Sequence, residues 1–103
     1  KFVKNVKQEV SVDLIQKTVA DYFKIDIDVL KSKSRKREIA QARQLAMFFA
    51  KKYTNNSLAS IGAQIGNRDH ATVLHACKTV NNLIETDKEF KKYAEEIKVK
   101  LSM

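Results

Sequence analysis

Proline is absent from this chain, glycine occurs only at positions 62 and 66, and cysteine only at position 77. Without proline the strongest helix breaker is missing. With so little glycine the connections must be compact turns, so an all-α chain is expected. A lone cysteine closes no internal disulfide, which fits a cytoplasmic, reducing environment. No apolar run approaches the ~20 residues that span a bilayer, and no secretory leader is visible. There is no Gly-x-x-x-x-Gly-Lys-Ser/Thr loop to cradle a nucleotide's phosphates. His70 and His75 are five apart and do not share a helix face, and beyond Asp69 no acidic ligand lies near them. No metal site is expected, neither zinc nor iron.

Acidic residues are also nearly missing from the middle of the chain. Residues 31–82 carry Lys31, Lys33, Arg35, Lys36, Arg37, Arg43, Lys51, Lys52, Arg68 and Lys78 against only Glu38 and Asp69, so this stretch holds the whole net charge of +8. The flanks balance acid against base. A neutral scaffold with a basic centre points to a polyanionic partner rather than to a merely soluble surface. A hydrophobic share of 44% excludes disorder as the main state, and 103 residues suffice for one core but not two.

Hydrophobic spacing gives helices throughout. Phe2, Val3, Val6 and Val10 form an amphipathic end to a linker helix. Ser11 caps a helix to about Phe23, with Val10 and Ile15 at hydrophobic-staple spacing. Ile25 to Val29 alternates like a strand, but the run is short and has no partner, so a short helix over Ile27 to Lys31 is expected instead. A basic loop, Lys31 to Lys36, leads into a long helix from Arg37 to Tyr53 with Ile39, Ala42, Ala46, Phe49 and Tyr53 in one stripe. Thr86-x-x-Glu89 is a capping box for a final helix to about Leu101.

The segment from Ser57 to Lys78, SLASIGAQIGNRDHATVLHACK, holds the strongest pattern. Ser57 caps a short helix carrying Leu58, Ile61 and Ile65. Gly66 and Asn67 tolerate the left-handed conformation that ends a helix. Asp69 caps a second helix whose Val73, Cys77, Val80 and Ile84 face a core, with Ala71, Thr72, His75, Lys78 and Thr79 on the other side. A short helix, a sharp turn and a longer helix opening on polar groups make a helix-turn-helix, which places the start of its second helix in the major groove of DNA.

Ile61-Gly62, then Gly66-Asn67-Arg68-Asp69-His70-Ala71-Thr72-Val73-Leu74-His75-Ala76-Cys77, resembles the signature of the C-terminal DNA-binding domain (domain IV) of the bacterial replication initiator DnaA. The similarity continues through Ser32-Lys33-Ser34-Arg35, Ala42-Arg43-Gln44 and Thr54-Asn55-Asn56-Ser57-Leu58, and covers roughly residues 11 to 85. Two departures stand out: Asn67 and Ala71 replace the family's usual Gly and Thr. The resemblance implies a Trp-repressor-like small domain of about six helices containing the helix-turn-helix. It also implies that residues 1–10 end the linker helix from an ATPase domain lying outside this chain, and that residues 11–103 are the DNA-binding domain. A start at Lys1 rather than Met agrees with a fragment. ATP and Mg would belong to the parent protein's ATPase domain, so this chain is expected to need no cofactor and to be no enzyme.

The residue chemistry agrees with that reading. The basic loop suits phosphate contact, with one arginine in a narrow A·T-rich minor groove. Loop position alone leaves Arg35 and Arg37 open; the resemblance selects Arg35, with Lys33 near the backbone. By resemblance Arg43 and Gln44 also touch the DNA backbone. Thr54, Asn55 and Ser57 precede the helix-turn-helix, where backbone N–H groups suit a phosphate, and Lys51 adds charge. Arg68, His75 and Lys78 complete the expected backbone contacts. Asp69 suits a cytosine amino group as well as the cap. His70 donates to a base acceptor, and the methyls of Ala71 and Thr72 suit thymine. The resemblance supports base reading at Asp69, His70, Ala71 and Thr72.

Three function classes compete. The favoured one is sequence-specific duplex DNA binding at replication-origin boxes of the TTATCCACA kind. A generic helix-turn-helix transcription regulator is its near variant. A nuclease built on Asp69, His70 and His75 lacks paired carboxylates and metal spacing. A lipid- or protein-docking module would use the Phe2–Val10 helix and the basic middle, with acidic phospholipid as the candidate partner at that helix. The fragment is expected to be monomeric, with self-assembly on the origin left to the full-length protein.

Overall fold

The structure, a computed structural model, describes residues 10–102. The expected linker helix at Phe2 to Val10 falls outside them except for Val10. Six helices follow in order: α1 (Val12–Phe23), α2 (Ile27–Lys31), α3 (Arg37–Tyr53), α4 (Leu58–Gln64), α5 (His70–Thr86) and α6 (Lys88–Ser102), with no strand among the described residues. The strand-like alternation from Ile25 forms no strand; it is helical from Ile27, as its isolation predicts.

Each helix starts and stops for a local reason. The Ser11 hydroxyl accepts from the Leu14 N–H at 3.1 Å and opens α1. Lys24 ends α1 in the left-handed conformation, at φ 59°. Its N–H donates to Asp21 at 3.2 Å and that of Ile25 to Ala20 at 3.0 Å, which satisfies two terminal carbonyls. The expected capping box at Thr86 is not formed. Thr86 is still inside α5 and its hydroxyl donates to the Asn82 carbonyl at 2.8 Å. Asp87 caps α6 instead: Oδ1 accepts from the Glu89 N–H at 3.0 Å and the Phe90 N–H at 3.2 Å. One residue serves both ends, since the Asp87 N–H also closes α5 onto the Leu83 carbonyl at 2.8 Å.

The long helices α3 and α5 pack against each other and carry the centre of the core. Ala42, Leu45, Ala46, Phe49 and Ala50 of α3 meet Val73, Ala76 and Val80 of α5, with Ile61 and Ile65 from α4. Small alanines on both long helices let their axes approach. Fully burying a side chain such as Phe49 or Leu45 is worth roughly 1.5–3 kcal/mol. On the far side α1 packs on α3 and α6, where Tyr22, Phe23 and Tyr93 meet edge to face with ring centroids 5.0–6.0 Å apart. The Tyr22 hydroxyl donates to Glu96 Oε1. Burial first, then this bond, pushes the Tyr22 phenol up to about 12. Gln16 is the one buried polar side chain among the described residues; its amide reaches the Gln64 carbonyl at 3.4 Å.

Among the described residues no helix is long and apolar enough to cross a membrane.

Candidate nucleic-acid interface

The turn between α4 and α5 is built from residues that accept left-handed backbone. Gly66 at φ 80° and Asn67 at φ 57° reverse the chain. The Arg68 N–H then donates back to the Gly62 carbonyl at 2.7 Å. Gly62 has no room for a side chain there, because a Cβ would lie 2.1 Å from the Arg68 carbonyl oxygen. Asp69 opens α5: its Oδ1 accepts from the Thr72 N–H at 2.9 Å and the Thr72 hydroxyl at 2.8 Å. Those two bonds hold the Asp69 carboxyl below its ordinary range.

Beyond the cap, α5 buries one face and exposes the other. Val73, Ala76 and Val80 are buried, while His70, Ala71, Thr72, Leu74, His75 and Lys78 are exposed. The exposed set recurs at three- and four-residue spacing, so it forms one stripe down the first turns of the helix.

Beside this stripe lies the loop between α2 and α3. Serines pin it: the Ser32 hydroxyl donates to Val29 at 2.6 Å and accepts from the Ser34 N–H at 3.2 Å, and the Ser34 hydroxyl accepts from the Lys36 N–H at 3.3 Å. Lys33, Arg35 and Lys36 are left exposed. A cleft of about 450 Å³ is lined by Lys33, Ser34 and Arg35 of the loop and by Gly66, Asn67 and Arg68 of the helix turn. Arg43 and Arg68 form its floor region. Arg43 donates through Nε to Leu30 at 3.0 Å and through Nη2 to Ser34 at 3.1 Å. Arg68 donates through Nη1 to Lys31 at 3.1 Å and Ile65 at 3.0 Å, and through Nη2 to Ser32 at 2.7 Å. Burial lowers both guanidinium pKa values, and for Arg43 the nearby Arg68 charge lowers it further.

A family model described as the bacterial DnaA protein helix-turn-helix matches residues 12–80. The chain belongs to this family. It is 70% identical over 103 residues to the chromosomal replication initiator protein DnaA of Flavobacterium psychrophilum, covering 100% of this chain and 22% of that protein. Its identity to the DnaA of Bacteroides thetaiotaomicron is 50% over 95 residues, 92% of this chain and 20% of the relative. To that of Laribacter hongkongensis it is 55% over 80 residues, 78% of this chain and 17% of the relative. The chain spans about a fifth of the length of these curated relatives. What matches is the helix-turn-helix part of the DnaA family, not its ATPase module.

In this DnaA-family domain the sequence-predicted residues fall into three groups. Asp69, His70, Ala71 and Thr72 share the start of α5, with His75 and Lys78 below them on the same exposed side. Lys33 and Arg35 line the cleft together with Gly66, Asn67 and Arg68, the turn that leads into α5. Lys51, Thr54, Asn55 and Ser57 follow one another from the end of α3 to the start of α4, with Lys51 close enough to Cys77 of α5 to act on its thiol electrostatically. Two hydroxyls here are engaged locally: Thr54 donates to Ala50 at 2.6 Å, and Ser57 accepts from the Ser60 N–H at 3.1 Å as the cap of α4. Gln44 is half-buried on α3. Arg43 and Arg68, expected on phosphates, are instead turned onto backbone carbonyls of their own chain.

Arg35 and Arg37 have different surroundings. Arg37 leans away to Asp87 at 3.7 Å, a surface ion pair worth about 0–1 kcal/mol. Arg35 stays beside the cleft. One residue escapes the sequence reading: Leu74, 43% exposed although large and apolar. It sits one turn below His70, outside the Val73–Cys77–Val80 stripe, and that misfit is its only signal. Among the described residues there is no group of three or more His, Cys, Asp or Glu able to hold a metal.

Proposed function

We propose that this domain binds duplex DNA sequence-specifically at DnaA boxes of the replication origin, and so serves initiation of chromosomal replication and its regulation. One observation carries the reading. An exposed stripe of hydrogen-bonding and methyl-bearing side chains opens α5 directly after the Gly66–Arg68 turn, which shares a cleft with the exposed cationic loop, all within the stretch that holds the net charge of +8.

The mechanism is bipartite. The stripe from Asp69 enters the major groove. His70 donates to a base acceptor, and Ala71, the Thr72 methyl and Leu74 contact thymine C5-methyls. Thr72 already donates its hydroxyl to Asp69, so its methyl is the part turned to account. Asp69 has one carboxylate oxygen engaged in the cap, and the other is available to a cytosine amino group. Arg35 enters the adjacent A·T-rich minor groove, where the potential is most negative. Lys33, Gln44, Lys51, Thr54, Asn55, Ser57, His75 and Lys78 fix the register through phosphates. The asymmetry of such a site suits a monomer with no cofactor of its own, working on the nucleoid.

A binding titration against a DnaA box and a scrambled duplex at two salt concentrations tests this. With about four phosphates neutralised, by Lys33, Arg35, Lys51 and Lys78, log K falls with log[salt] at a slope of about −3 to −4. Replacing His70 by Ala costs roughly 1–3 kcal/mol on the box and much less on scrambled DNA. A flat salt response, or equal losses on both duplexes, rules the reading out.

A further inference from the structure

We propose that Arg43 and Arg68 are positioning residues that clamp the basic loop to the helix-turn-helix turn, so that the domain reads its two grooves at one fixed separation. The inference rests on the DNA-binding reading above and departs from it on these two arginines, which sequence reasoning places on phosphates.

Five hydrogen bonds engage them within the protein. Between them the two guanidinium groups bond the carbonyls of Leu30, Lys31, Ser32, Ser34 and Ile65 at 2.7–3.1 Å. Those carbonyls need partners. Leu30 and Lys31 are the last residues of α2, and Ile65 caps the end of α4, so their oxygens lack the onward helical N–H. A cation at a helix C-terminus is also favoured by the helix dipole. Arg68 Nη1 joins the ends of both short helices at once, and Nη2 holds the loop at Ser32. Arg43 holds the same loop from α3, at Leu30 and Ser34. Only arginine offers such a planar, several-armed fork; an ammonium does not reproduce it.

The backbone around Arg68 is cut to fit. Both glycines of the chain abut it. A Cβ on Gly66 would lie 1.8 Å from Arg68 Nη1 and 2.5 Å from the Lys31 carbonyl oxygen, and one on Gly62 would meet the Arg68 carbonyl. Two like charges tolerate this proximity because each is satisfied by carbonyl oxygens. Arg35 lies one residue after Ser34, and His70 two residues after Arg68. The clamp therefore ties the minor-groove arginine to the start of the recognition helix through very few rotatable bonds.

A double-mutant cycle separates a clamp from a phosphate contact. Arg68→Gln, Arg68→Lys and Arg43→Lys are each measured alone and with Arg35→Ala, on the box, on scrambled duplex, and on a box carrying one base pair inserted after its A·T-rich end. We expect each single variant to lose about tenfold on the box and little on scrambled DNA, with the salt slope changed by less than one. Adding Arg35→Ala should cost almost nothing more, because the loop arginine is already misplaced. The inserted base pair should penalise the variants less than the native protein. Losses that multiply with Arg35→Ala, or a slope reduced by one with equal weakening on all duplexes, overturn the clamp and restore a phosphate role. If Arg68→Gln does not fold, Arg43→Lys, whose bonds reach only the α2 end and the loop, carries the same comparison. Amide exchange of the free protein gives an arm independent of DNA: residues 31–35 should lose protection in the variants while α3 keeps its own. Unchanged loop protection overturns the clamp. A native protein that does not prefer the box overturns the DnaA-box reading instead.

Discussion

Two turns in this domain use the same backbone device and differ in what surrounds it. At the end of α1, Lys24 takes φ 59°. Between α4 and α5, Gly66 and Asn67 take φ 80° and 57°. The first is an exposed stop with a lysine in a conformation lysine disfavours. The second is a half-buried junction where two helix ends, a loop and a guanidinium converge. The difference shows that left-handed backbone alone does not require glycine; close approach does. Lys24 tolerates a side chain because its points into solvent, whereas at Gly66 the same atom would strike Arg68.

Substitutions should separate the two turns. Gly62→Ala sets a Cβ against backbone that cannot yield, 2.1 Å from the Arg68 oxygen and 2.9 Å from its carbon. A loss of about 3 kcal/mol or more is expected in thermal or denaturant unfolding. Gly66→Ala sets a Cβ at φ 80° against the bonded Arg68 guanidinium at 1.8 Å and the Lys31 carbonyl oxygen at 2.5 Å, so a loss of about 2–3 kcal/mol is expected, and it should displace Arg68 and uncouple the loop. Equal tolerance at both glycines would show that the second turn is no tighter than the first. Lys24→Gly should act in the opposite direction, raising stability by up to about 1 kcal/mol as the left-handed penalty is relieved. A destabilised Lys24→Gly protein would mean the lysine side chain contributes more than its backbone conformation costs.

Titration sharpens the contrast at the low end of the scale. Asp69, just past the second turn, has its pKa depressed by its bonds to Thr72. A depressed carboxylate stabilises the fold above its unfolded pKa and loses that contribution as pH falls through the folded one. Acid should therefore loosen the start of α5 first, read as rising amide exchange at Thr72. Tyr22, just before the first turn, has its pKa raised to about 12. The neutral phenol is the favoured form, so its contribution is complete below the ordinary tyrosine pKa of ~10 and fades as pH climbs through the folded value. Alkali should loosen the α1–α6 contact; the Tyr22→Phe variant should show a smaller alkaline step, the rest coming from Tyr93, whose phenol is also pushed up.

Much of this fold is legible in the sequence because its signals are local. Ser11, Ser57 and Asp69 are cap residues ahead of periodic apolar runs, and each caps as expected. Gly66-Asn67 names its own turn. The miss at Thr86 has the same origin: two cap-forming types stand side by side, and Asp87 wins because its carboxylate reaches two N–H groups at once. The inward turn of Arg43 and Arg68 is not legible. Arg68 is separated from its partners Lys31 and Ser32 by 37 and 36 residues, and no local pattern tells a guanidinium that its acceptors will come from another loop. Leu74 is hidden for the converse reason, since an apolar residue beside an apolar stripe reads as core until the helix is rotated into place.

The bond from Tyr22 to Glu96 joins positions 74 residues apart. Closing a loop of that length costs chain entropy on the order of 4 kcal/mol, whereas α4 and α5 meet across only a few residues. Folding of this domain should thus proceed from its centre outwards, with the first and last helices zipping together late. The same seam is then the weakest under tension. A pull applied along the first and last helices would part them while the recognition end is still assembled.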